Sequence, residues 1–137
     1  MRGELLIILA QVAWAFSVLF IKKLTQDINP VLVTLVIALI GVIFILPILF
    51  YYLEDIRLFS SQKIIWAILA GILWIAVGEI LYISGLKKIP ISRASLLSMT
   101  FPLFVTLIGV IFLGEKISLK FIIAAFLMAI AYILLVK

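Results

Sequence analysis

Glu79 is the residue here whose type and position call most directly for chemistry. It is the single charge in an apolar run of 23 residues, Ile64–Leu86 (IIWAILAGILWIAVGEILYISGL), closed by Lys63 on one side and by Lys87 and Lys88 on the other. At a helical rise of about 1.5 Å per residue the run covers roughly 34 Å, enough for a hydrocarbon core of about 30 Å. Glu79 then lies roughly 12 Å along the helix from Lys87, inside the apolar zone and away from its rim. An ionised carboxylate at that depth costs on the order of a few kcal/mol, so a polar cavity, a partner or a proton must offset it. Such a carboxyl can exchange a proton for a bound solute. It can also serve as a hydrogen-bonded acid that stitches two helices together, and both readings stand at this point.

The other candidates for binding a solute are Gln11, Trp14, Tyr82, Ser95 and Ser98, with Pro102 as a hinge. Gln11, Ala15, Val18 and Lys22 share one helical face, and Trp14 borders it. An ion pair between Lys22 and Glu79 is the competing use of those two side chains. Tyr82 stands between Glu79 and a stripe of Ala67, Gly71, Gly78 and Gly85. That stripe, like Thr34, Ala38 and Gly41 or the alanines Ala124, Ala125, Ala129 and Ala131, reads as close helix packing. Ser95, Ser98, Pro102, Thr106 and Gly109 gather on one side of a further run. Pro102 removes a backbone bond and should bend that helix, and broken helices beside polar residues recur where solutes bind near the bilayer midplane. The hydroxyls have a plainer use, because Ser and Thr bond back to carbonyls of their own helix.

What positions these residues is a chain of 137 residues, 68% hydrophobic and 12% charged, which only a lipid solvent accommodates. There is no Cys and no His. A disulfide scaffold and thiolate metal sites are thereby excluded, and the usual transition-metal and general-base residues are missing. No nucleophile–base pair can be assembled, so neither catalysis, a cofactor nor a bound metal is expected. The net charge of +5 sits in short loops between apolar runs, as membrane flanks require, and gives no reason to expect nucleic acid.

Five runs read as membrane spans: Glu4–Ile21, Pro30–Leu53, Ile64–Leu86, Ile91–Leu113 and Leu119–Val136. They lack the period-2 alternation of a barrel, so the expected fold is an all-α membrane protein with five transmembrane helices in one domain over residues 1–137. The first run is too long for a cleaved leader and no small-residue cleavage site follows it. Asn29-Pro30 should open the second helix and Ser118 should cap the last, after a break at Gly114. Tyr51 and Tyr52 sit where an aromatic belt belongs. Arg2, Arg57, Lys63, Lys116 and Lys120 flank one side, and Lys22, Lys23, Lys87, Lys88, Arg93 and Lys137 the other. That balance gives no positive-inside orientation. It suits insertion both ways, or one topology with a weak signal.

From Leu81 onward the sequence reads LYISGLKKIPISRASLLSMTFPLFVTLIGVIFLGEKISL. A basic turn, a Ser-rich helix entry, a mid-helix Pro and a Gly-Glu pair before the last span occur in that order. Together with VAWAFSVLFIKK in the first run and Asn29-Pro30, this resembles the EamA domain of the drug/metabolite transporter superfamily. Ile37 and its neighbours are aliphatic where many members carry an arginine, and Ala124 and Ala131 stand where glycines are usual. The resemblance implies a half-transporter bundle of five helices in the cell membrane of a prokaryote. It implies a secondary carrier of small metabolites, amino-acid-like or otherwise polar or amphipathic, working without ATP hydrolysis. The familiar form has ten helices in two inverted halves. A homodimer, of dual topology if the copies insert oppositely, or a heterodimer with a second five-helix unit would rebuild it. The alternative is a membrane scaffold or regulatory subunit that transports nothing.

Overall fold

The computed structural model describes residues 3–136, and every regular element among them is helical. Helices over Gly3–Asp27, Pro30–Leu58, Ser61–Lys88 and Ile91–Leu113 are long and apolar enough to cross a membrane, and a shorter apolar helix covers Leu119–Leu134. The expected all-α membrane fold is the one found. We denote the α-helices α1 (Gly3–Asp27), α2 (Pro30–Leu49), α3 (Ser61–Gly71), α4 (Ile80–Lys88), α5 (Ile91–Ser98), α6 (Phe101–Leu113) and α7 (Leu119–Val136). Phe50–Leu58, 3₁₀ in character but kinked at Tyr52 (φ −119°, ψ 20°), follows α2, and a π-helix, Ile72–Glu79, joins α3 to α4. The chain forms two compact units, one ending at Lys88 and the other beginning at Ile89. Arg2 and Lys137, which enter the charge balance, lie outside the described residues.

Local signals set most helix ends. The Asn29 side chain accepts from the Val31 N–H at 2.9 Å and Pro30 opens α2, as expected. Ser60 caps α3, and the Ser118 hydroxyl accepts from the Phe121 N–H at 3.2 Å at the start of α7. The first helix runs past Ile21 to Asp27, because no breaker intervenes before Asn29-Pro30. Much of the stretch expected as the loop Glu54–Lys63 is instead 3₁₀ helix, which starts just after Pro47 in the last turn of α2. Pro47 leaves the Ile43 carbonyl without its usual N–H partner in the turn before that segment.

In the first unit the core lies at one end. Ile21 and Thr25 of α1, Val33 and Thr34 of α2, and Ile83 and Leu86 of α4 are buried there. Thr25 donates to the Lys22 carbonyl at 3.0 Å and Thr34 to the Pro30 carbonyl at 2.9 Å, so both buried hydroxyls are satisfied within their own helices. Large apolar side chains towards the far end are exposed, which lipid tolerates. The basic residues then tie the packed end. The Lys22 ammonium donates to the Leu86 carbonyl and, at 3.3 Å, to that of Lys87. The Lys87 ammonium donates to the Ile28 carbonyl at 3.3 Å. Carbonyls in the last turn of a helix lack intrahelical partners, and a cation is favoured there. Lys22→Met should therefore lower stability by roughly 1–3 kcal/mol, whereas Lys23→Met at its exposed neighbour should be nearly neutral. Thermal unfolding in detergent micelles checks this, and equal melting temperatures for the two variants would refute it.

The glycine stripe does not do what its spacing suggests. A Cβ added at Gly41, Gly71 or Gly85 would meet nothing within 4 Å, so these positions bring no helix close among the described residues. The π-helix also breaks the alignment. One extra residue per turn shifts everything after it by about 100°, placing Gly78 and Gly85 out of phase with Ala67 and Gly71.

In the second unit the fourth span is discontinuous. Met99 and Thr100 separate α5 from α6, and Pro102 stands in the first turn of α6. Both residues keep right-handed dihedrals, with ψ −10° and −22°, and bond to carbonyls three residues back at 3.1 Å. The expected proline bend is thus a tightening into 3₁₀ geometry just before the ring. Among its described residues the buried positions are Ala94 and Gly109. Gly114 has φ +67°, the left-handed conformation that favours glycine, and ends α6. The Gly114 N–H and, at 3.2 Å, that of Glu115 both bond to the Gly109 carbonyl. The Glu115 carboxylate covers Gly109 so closely that an added Cβ would lie 2.7 Å from its Oε2. The Gly-Glu pair is a helix stop latched onto a glycine one turn earlier.

Candidate functional site

Each unit holds one concentration of the candidate residues. In the first, α1 meets the third span at two levels. Trp14 packs on Trp74, with ring centroids 6.3 Å apart and planes tilted by 48°. Eight residues further along α1, Lys22 reaches the carboxyl end of α4. The two segments therefore run in the same direction, and Glu79 lies between these levels, as the last residue of the π-helix. Glu79 and Tyr82 are half-buried and Gln11 is exposed. The Lys22 ammonium sits at the Leu86 carbonyl, seven residues and roughly 10 Å of helix beyond Glu79, so the geometry does not give the Lys22–Glu79 ion pair.

Trp74 is the partner that sequence reading missed. Counted at the α-helical period it falls on the far side of the helix from Glu79, so no face analysis groups the two. Gly78 was read as packing, yet its crowding comes from its own helix. A Cβ there would approach the Leu73 carbonyl oxygen, five residues back, to 3.0 Å. Beside the tryptophan, an open apolar groove of about 480 Å³ is lined by Ala70, Gly71, Leu73, Trp74 and Ile75.

In the second unit Ser95 donates to the Ser92 carbonyl and Ser98 to the Ala94 carbonyl, each at 2.9 Å, and Thr100 to the Leu97 carbonyl at 2.8 Å. The donors are used within the helix, while the hydroxyl oxygens keep lone pairs that can accept. A cavity of about 280 Å³ opens at the break. Leu96, Met99, Thr100 and Leu103 line it on one side, and Met128, Ala129, Ala131, Tyr132 and Ile133 of α7 on the other. Ser95 and Ser98 are not among its walls. Thr100 and Tyr132 are its hydroxyl-bearing residues, and neither stood out by spacing alone. The described residues contain no cluster of three or more metal-ligating side chains.

Comparison with known proteins agrees with this architecture. An uncharacterized transporter of Archaeoglobus fulgidus is 25% identical over 122 residues, covering 89% of this chain and 44% of the relative. The chain thus spans less than half the length of that relative. No solved structure matches it. The EamA-like transporter family matches from residue 1 to residue 137. With apolar helices of spanning length, two of them discontinuous, and a family match over its whole length, the chain belongs to the EamA-like transporter family.

Proposed function

We propose that the chain is the membrane unit of a secondary carrier for small polar or amphipathic metabolites, amino-acid-like compounds among them, in a prokaryotic cell membrane. The observation that carries this reading is the pair of interrupted spans. The third is π-helical up to Glu79, and the fourth is broken at Met99–Thr100 beside Pro102. A scaffold has no need of interrupted helices, whereas carriers place irregular backbone where solute binds and where helices must flex. Glu79, Tyr82, Gln11 and Trp14 would contact solute in one unit, Ser95 and Ser98 in the other, with Pro102 setting the flexible point.

Five spans place the two ends of such a unit on opposite sides of the membrane. Alternating access through inverted repeats then calls for a second unit of opposite orientation, a second copy or a differently charged one. Reconstitution into liposomes with a metabolite panel tests the carrier reading. Counterflow of at least one solute is expected, and a folded sample with none would favour the scaffold. Orientation is tested through a single cysteine appended at the C-terminus, since the background is Cys-free. Labelling from both sides is expected, with two added lysines after Lys137 trapping the C-terminus inside and lowering activity. Labelling from one side only would rule out insertion both ways.

A further inference from the structure

We propose that the face carrying Trp14, Trp74 and Glu79 recognises an organic cation, the ammonium-type end of a small amphipathic solute. This deepens the carrier reading and rests on it. In an α-helix five residues turn through about 500°, which would leave Trp74 and Glu79 roughly 140° apart. They lie instead within an eight-residue π-helix, Ile72–Glu79. There the backbone bonds link residues five apart, setting them about one turn above one another on nearly the same face. Trp14 joins that face from α1 through its contact with Trp74. Gly78 permits this register, because a side chain there would crowd the Leu73 carbonyl. Long π segments are rare and concentrate at functional sites.

The chemistry selects the ligand. Trp14 and Trp74 are 51% and 55% exposed, so indole surface remains for a ligand. Indole faces attract cations through the ring quadrupole. Glu79, half-buried within a span, requires a countercharge or a proton at that depth. A neutral or anionic solute supplies no countercharge and leaves that task to a proton. A cation meets both demands at once, and the open groove along Gly71, Leu73 and Trp74 accepts its apolar portion.

The test uses the full chain in detergent, in a Trp66→Phe background so that emission reports Trp14 and Trp74. Benzyltrimethylammonium is titrated against phenylmethanesulfonate, an anion of similar size. Saturable quenching by the cation alone is expected, weakened roughly tenfold or more by Glu79→Gln and by Trp74→Leu. Deleting Ile75 should return the segment to α-helical register and weaken cation binding similarly. If the deletion variant does not fold, the two point variants decide. Equal quenching by cation and anion, or an unchanged cation affinity in Glu79→Gln, overturns the proposal. Counterflow separates the two readings. Cation binding without counterflow of any solute keeps the subsite and removes the carrier, whereas counterflow of other solutes without cation binding does the reverse.

Discussion

Glu79→Gln is expected to insert and fold like the parent protein yet to lose gradient-driven uptake by tenfold or more. Glutamine keeps the shape and most of the hydrogen bonding of glutamate while deleting its charge and its proton exchange. Removing one member of a desolvated charge pair costs about 2–5 kcal/mol, and tenfold corresponds to about 1.4 kcal/mol. The position supports a large effect, since Glu79 closes the π-helix and α1 passes it between Trp14 and Lys22. Uptake and solute exchange in the same liposomes separate the roles. Lost uptake with retained exchange assigns coupling to Glu79. Normal transport in Glu79→Gln at every pH, together with a destabilised Glu79→Ala, would make it a structural staple.

Pro102→Ala should slow transport by about an order of magnitude while leaving stability unchanged or slightly raised. Alanine restores an N–H at position 102 that can bond to the Ser98 carbonyl four residues back, fusing α5 and α6 into one helix. Pro102 already stands in the first turn of α6, where proline is well tolerated, so the stability gain should stay below about 1 kcal/mol. The rate is more sensitive. If transport passes through the broken helix, favouring the continuous one by about 1.4 kcal/mol lowers the rate about tenfold. Slower amide exchange across residues 98–103 would report the fusion directly. Unchanged transport in Pro102→Ala and in a Ser95/Ser98 double alanine would reduce that face to packing.

The two breaks also differ in how openly the sequence shows them. The fourth-span break follows from one missing N–H, so Pro102 announces it. The π-helix has no such residue, for IIWAILAGILWIAVGEIL reads as an uninterrupted α-helical run.

The sequence by itself determined the all-α membrane fold, the caps at Asn29 and Ser118, the stop at Gly114 and the isolation of Glu79 in an apolar run. These depend on hydropathy and on hydrogen bonds between residues a few positions apart, so spacing alone encodes them. Tertiary structure decided the π register, the pairing of Trp14 with Trp74, the destination of Lys22 and the openness around Gly71 and Gly85. A one-residue insertion in a helical ladder costs little locally but rotates every later side chain by about 100°. Which register wins, and which carbonyl a long lysine reaches, is settled only when a neighbouring helix supplies the contacts.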